Sequence, residues 1–340
     1  ITHLIIDKEP ENIIKKDILE LHERRVNSVF RIHAQSDYIL KCSMTQLHVY
    51  YHFLKMSEHC RTFWLKTTQT NLNPTLNCLP EIFIFIMATI LAFTNQKGGV
   101  GKTTSAVNVA LSMAVSEVRT LLIDLDPQSN ATTGLSDLFE KTNGSIYDVL
   151  IKGDGIKDTI TKTSFSHLDI VSSTNDLVGA EIELVSIMAR EYQLKKVLKN
   201  IKKSYEIIII DCPPSLGLLT INALTASDAL VIPIQCEYFA LEGLGQLLNT
   251  VRLVQRHLNK KLGIAGILMT MYDSRLNLSK QVVKEVNGFF KDKLFKTFIH
   301  RNVRLSEAPS FGKPALLYDA NSTGARNYMS LTEEILQRVS

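Results

Sequence analysis

Ten consecutive residues, Asn95-Gln96-Lys97-Gly98-Gly99-Val100-Gly101-Lys102-Thr103-Thr104, combine three glycines, two lysines and two adjacent threonines. Glycines at 98, 99 and 101 permit the tight turns that aim backbone N–H groups at phosphate oxygens. A helix starting directly after them adds the positive end of its dipole. Lys102 supplies a point charge to the phosphates, and the Thr103 hydroxyl suits a magnesium ion bridging β and γ oxygens. The general spacing G-x-x-x-x-G-K-[ST] wants glycine at position 96, where this chain has Gln96, so the loop is a deviant form. Lys97 is its second lysine. One lysine already serves the phosphates, so Lys97 is either a solvated surface group or reaches phosphates held by a second subunit, like an arginine finger supplied in trans.

Carboxylates follow at two further points. Thr120-Leu-Leu-Ile-Asp124-Leu-Asp126-Pro-Gln128 ends in two acids, and Ile207-Ile-Ile-Ile-Asp211-Cys-Pro-Pro214 ends in one. An Asp closing a run of four isoleucines is poorly explained by packing, because a buried charge needs a partner. Asp211 fits a magnesium ligand acting through water, Asp126 a residue that positions and deprotonates an attacking water, and Asp124 a brace for the loop. Each could instead be a turn or capping Asp; the three together are harder to explain that way.

Positioning these groups requires strands that end where the loops begin. From Met87 onward, short β-rich runs (89–94, 120–124, 168–172, 207–211, 229–235 and 264–271) alternate with helical patterns at 103–115, 177–203, 241–257 and 278–291. The runs 207–210 and 229–234 do not alternate with polar residues, so they read as strands covered on both faces. The expectation is one doubly wound α/β domain, a mostly parallel sheet with helices on both faces and ligands at the strand C-termini. The tail 330–340 starts acidic, carries one Arg and reads as a packing helix, not a basic amphipathic membrane anchor.

Residues 1–86 differ in kind. They hold six of the nine His, three of the five Cys (Cys42, Cys60 and Cys78) and the single Trp. Glu11 to Val26 reads as a short amphipathic helix, and no independent core is expected. His48 and His52 share a helical face at i, i+4, but with His59 and Cys60 they match no zinc spacing. Because Met87 directly precedes a strand and a phosphate loop, the segment reads as an extension upstream of the true start, and 87–340 as the working domain.

Composition excludes several classes. A 45% hydrophobic, 21% charged chain with 16 Gly and 9 Pro is neither collagenous nor largely disordered. The apolar run 82–93 is shorter than the roughly 20 residues a membrane-spanning helix needs. Five Cys without a C-x-x-C pair favour a reducing compartment over a disulfide framework. A net charge of +4 permits contact with a polyanion without demanding it.

Five motifs together resemble the ParA/Soj chromosome- and plasmid-partitioning ATPases, a P-loop NTPase family. They are 97–104, Asp124-Leu-Asp-Pro-Gln128, Asp211-Cys-Pro-Pro-Ser-Leu-Gly217, the stretch Pro233 to Gly243, and Arg301-Asn-Val-Arg-Leu-Ser-Glu-Ala-Pro-Ser-Phe-Gly-Lys-Pro314. The resemblance implies ATP and Mg²⁺ as cofactors, with Lys97, Gly98, Gly99, Val100, Gly101, Lys102, Thr103 and Thr104 on the nucleotide and Asn302 touching the adenine. It also implies a homodimer in the ATP state with Lys97 reaching across, slow hydrolysis stimulated by a ParB-like protein, and a cytoplasmic, nucleoid-associated location with no stable membrane anchor. Family members usually carry proline two residues before that Asn, where this chain has His300. Nonspecific double-stranded DNA is the implied partner of a basic C-terminal stretch containing Lys280, Lys284, Lys291, Lys293, Lys296, Arg301, Arg304 and Lys313, although such a run taken by itself is usually a solvated face. Two other readings use the same loop: a MinD-like ATPase that positions division or cargo, and a nucleotide switch that regulates replication. An iron–sulfur electron donor is disfavoured, because Cys212 and Cys236 sit inside strand-end motifs.

Overall fold

The computed structural model describes residues 88–237 and 240–339, with 240–242 as backbone only. The sequence readings made for residues 1–86, including the helix at 11–26 and the His48/His52/His59/Cys60 group, lie outside the described residues. Seven strands, β1 (Thr89–Phe93), β2 (Thr120–Asp124), β3 (Thr161–Lys162), β4 (Leu168–Val171), β5 (Ile207–Asp211), β6 (Ala229–Gln235) and β7 (Gly263–Thr270), form one sheet in the order β3-β4-β2-β5-β1-β6-β7. All pairs are parallel except β3 with β4. The two-residue antiparallel β3 went unread in the sequence, being too short for a period to show.

The isoleucine run shows why the sheet is covered on both sides. Ile208 and Ile210 join an apolar cluster with Leu219 and Leu244, while Ile207 and Ile209 join a second cluster with Leu111, Leu331 and Ile335. Alternate side chains of β5 therefore feed opposite cores, and burying each contributes about 1.5–3 kcal/mol. The second core is closed by α1 (Lys102–Val115) and the C-terminal helix Thr323–Val339, whose Tyr328, Leu331 and Ile335 are buried. The tail packs as its sequence suggested. Among the described residues no helix is long and apolar enough to cross a membrane.

Between β4 and β5 the long helix expected over 177–203 is instead broken into α2 (Leu177–Glu183), two single turns and α3 (Gln193–Leu198). The chain turns extended at Ile187 and left-handed at Ala189, φ 51°. Side chains take over the carbonyls that the helix would have used: Arg190 Nη1 donates to Val185 O at 3.0 Å and Gln193 Nε2 to Met188 O at 2.8 Å. No Gly or Pro marks the break, so periodicity alone could not find it. The helices α4 (Leu218–Ala226) and α5 (Ala240–His257) complete the crossovers, and α6 (Asn277–Phe290) follows β7.

Candidate nucleotide site

β5 lies between β1 and β2 in register, so that Asp211 stands beside both Asp124 and Phe93. The glycine loop that leaves β1 therefore opens next to two carboxylates at one edge of the sheet. Neighbouring strands hold its backbone: Thr94 N donates to Val231 O at 3.2 Å, Asn95 Nδ2 to Pro233 O at 2.7 Å and Thr270 Oγ1 to Val100 O at 2.8 Å. Gly99 and Gly101 have φ of 74° and 84°, the left-handed region that a side chain resists. At Gly98 and Gly99 an added Cβ would meet nothing within 4 Å. The loop thus leaves open space where those side chains would stand. Gly101 caps α1, which has neither a side-chain cap nor an acid in its first turn. A helix N-terminus in that state attracts an anion.

Lys102 is 5% exposed, and its Nζ donates to the Lys97 carbonyl at 3.1 Å. Burial lowers its pKa, and the Asp211 and Asp126 carboxylates partly restore it. Thr103 is half-buried directly after it. Asp211 is completely buried, and neither carboxylate oxygen has a partner of ordinary hydrogen-bond geometry. Burial, then the charge of Asp124, raise its pKa well above the carboxylate range, although Thr103 lies close enough to favour the ionised form. An orphaned buried carboxylate next to a threonine hydroxyl and an open glycine loop fits a magnesium ion. Among the described residues no three His, Cys, Asp or Glu converge as a metal site of their own, so the ion would need phosphate and water oxygens to complete its shell.

The other two carboxylates are tied down. Asp124 accepts from Asp126 N at 3.2 Å, Thr132 N at 2.8 Å and Thr132 Oγ1 at 2.7 Å. Burial still pushes its pKa up to about 6. Asp126 is 5% exposed, accepts from Gln128 N at 2.9 Å, and its carbonyl takes the Ser173 hydroxyl at 2.7 Å. Lys97 is outside this buried group. Its ammonium pairs with Glu237 at 2.7 Å, both side chains being about two-fifths exposed. Asn302 arrives by another route. Tyr272, just beyond β7, bridges His300, and Asn302 Oδ1 caps the helix Val303–Glu307 by accepting from Arg304 N at 2.9 Å. His300 uses the N–H that a proline would lack to donate to Asn327 Oδ1 at 3.2 Å.

The candidate DNA residues divide. Lys280 and Lys284 on α6, with Lys291, Lys293, Lys296 and Arg301, are exposed. Arg304 is paired with Glu307 at 2.9 Å and Asp319 at 3.2 Å, and Lys313 with Asp137 at 3.3 Å. Sequence reasoning missed Thr132, Ser173, Thr270 and Glu237, and gave Asn95 no role although it opens the loop; these hold the named residues in place. Only Glu237 lay inside one of the five motifs; Ser173 and Thr270 have no local signature, because their partners are distant in the chain.

A deviant phosphate loop on a parallel sheet, with a buried lysine and a partnerless strand-end Asp, defines a P-loop nucleoside triphosphatase. The AAA domain family model matches residues 88–264. The chain is 57% identical over 249 residues to the sporulation initiation inhibitor protein Soj of Bacillus subtilis, covering 73% of this chain and 98% of that protein. It is 51% identical over 249 residues to the chromosome partitioning protein ParA of Myxococcus xanthus, covering 73% and 88%. Cobyrinic acid a,c-diamide synthase from Mycobacterium smegmatis, solved with an ATP analogue and magnesium, superposes with a TM-score of 0.62 at 34% identity, covering 72% and 93%. The chain belongs to the ParA/Soj family of partitioning ATPases.

Proposed function

We propose that residues 87–340 form a nucleotide-controlled DNA-partitioning ATPase, with residues 1–86 an extension outside its working parts. The carrying observation is the Asp211 carboxylate, buried without a partner beside Lys102, Thr103 and the open glycine loop. A buried carboxylate is costly to ionise, and a bound cation would favour its charged form. In this reading the loop N–H groups from Gly98 to Thr104 hold the ATP phosphates, Lys102 neutralises them, and Asn302 touches the base. Thr103 and, through water, Asp211 hold Mg²⁺. The ion, when bound, offsets charge on the β and γ oxygens. Asp126 orients the attacking water and accepts its proton. Asp124 braces the turn that carries Asp126 through its bonds to Asp126 N and Thr132.

Lys97 reaches the phosphates of a second copy, giving a homodimer in the ATP state. That dimer holds nonspecific double-stranded DNA through exposed Lys280, Lys284 and Arg301, whereas Arg304 and Lys313 join only if their ion pairs open. A ParB-like protein accelerates the slow hydrolysis. The partitioning relatives support this cytoplasmic, nucleoid-associated role. A MinD-like membrane cycle is less well supported, since the C-terminal helix buries its apolar face against α1. The test is gel-shift binding of the full chain to random-sequence duplex DNA with ATP, with ADP and without nucleotide, at two salt concentrations. The expected result is binding with ATP alone, weakened by salt; equal binding in all three states would reject the switch.

A further inference from the structure

The Lys97 ammonium is occupied within its own chain. We propose that Glu237 is a latch that holds Lys97 back and sets the threshold at which two ATP-bound copies pair. The proposal rests on the reading of Lys97 as a residue acting in trans.

Three observations carry it. First, the Lys97 backbone is held from two sides: its N–H donates to Asn95 Oδ1 at 3.0 Å, and its carbonyl accepts from Lys102 Nζ at 3.1 Å. Asn95 in turn is tied to β6 through Pro233 O. Only the side chain is free to exchange partners. Second, its present partner is placed for the purpose. Glu237 follows β6 in a loop whose Cys236 N donates to Thr270 O at 3.3 Å and whose Glu237 N donates to Gln235 O at 2.8 Å. The Glu237 carboxylate takes Lys97 Nζ on Oε2 at 2.7 Å and the Gln235 amide on Oε1. The two strands that flank this contact, β1 and β6, are paired to each other, so the acid and the lysine are held opposite one another by the sheet.

Third, the strength is right for a switch. Lys97 and Glu237 side chains are 39% and 46% exposed, so water screens their attraction and the pair is weak. A polyphosphate carries more charge than one carboxylate and attracts an ammonium more strongly. The lysine therefore stays on Glu237 in a lone chain and transfers when a second copy presents phosphate. The competition costs dimerisation a small factor and keeps the lysine off unrelated anions.

The experiment follows monomer and dimer of the full chain by sedimentation over a range of concentrations, with Mg²⁺ and a slowly hydrolysed ATP analogue, for wild type, Glu237→Gln, Glu237→Asp and Lys97→Ala. ATP affinity and melting temperature without nucleotide check that each variant is folded. Glu237→Gln is expected to dimerise at about two- to fivefold lower concentration, the range expected for losing an exposed ion pair. Glu237→Asp should fall between it and wild type, and Lys97→Ala should remain monomeric. If Lys97→Ala stays monomeric while Glu237→Gln dimerises no better than wild type, the latch is rejected and the trans lysine stands. If Lys97→Ala dimerises like wild type, the trans reading fails and takes the latch with it.

Discussion

The strand-end site and the basic C-terminal stretch are both rich in charge, yet they treat it in opposite ways. In the first, Lys102, Asp124, Asp126 and Asp211 are buried around the strand ends, and neither Asp211 oxygen has a partner of ordinary hydrogen-bond geometry. In the second, Lys280, Lys284 and Arg301 lie in solvent, while Arg304 and Lys313 already neutralise acids of the same chain. Burial gives a charge a cost, so an unpaired buried charge asks for a ligand. Exposure removes that cost, and an exposed lysine is consistent with solvent, DNA or nothing further. The site reports its chemistry through what is missing; the basic face reports only a sign.

Experiments can break this contrast, beginning where the effect is largest. Asp126→Ala is expected to keep ATP binding and lower steady-state hydrolysis by about 10²–10⁴-fold, the usual range for a general base. Turnover near wild type would remove Asp126 from the water. Lys102→Ala should weaken ATP binding by about 2–5 kcal/mol in a titration, as for one partner of a buried charge contact. Affinity within a factor of about 2 of wild type would show that the buried lysine serves the fold instead.

Asp211→Asn tests the missing partner through stability. A carboxyl whose pKa is raised on folding binds its proton more tightly in the folded chain, so without nucleotide the fold loses stability as pH rises from about 4 through the raised value. Asp124, pushed up to about 6, adds the same sign between about 4 and about 6. Replacing Asp211 by the neutral isostere removes its share. The melting temperature at pH 8 without nucleotide should then rise by about 2–4 °C, the shift that 1 kcal/mol makes in a domain of this size. The same variant should lose the extra stabilisation that Mg²⁺ adds to bound ATP. A fall in melting temperature of equal size at pH 5 and pH 8 would mean that Asp211 is structural.

The smallest effects belong to the basic face. Lys280→Ala with Lys284→Ala should flatten the dependence of log affinity on log salt by about 2, close to 0.9 for each DNA phosphate that is no longer neutralised. Arg304→Ala should leave that slope alone and lower stability by about 1 kcal/mol or less for its exposed ion pairs. If Arg304→Ala changed the slope and the double lysine variant did not, the division of the basic residues drawn from their ion pairs would be reversed.

Much of this protein is readable without coordinates, for a local reason. The strand–loop–helix containing Lys97 to Thr104, the unbroken Ile207–Ile210 run and the placing of acids 124, 126 and 211 at strand ends are each written in neighbours close in the chain, so residue type and spacing carry the information. The same holds for the packing helix at the C-terminus. The break at Ala189 was not readable, because the bonds that stabilise it come from side chains that suit an uninterrupted helix equally well. Tertiary structure alone decided the pairings between charges distant in the chain. The strand order brings Asp211 between Asp124 and the phosphate loop and Glu237 onto Lys97 across 140 residues of chain, while the packing of two short helices after the last strand brings Asp319 onto Arg304. Pairing depends on distance in space, which sequence spacing does not encode once the partners lie on different elements.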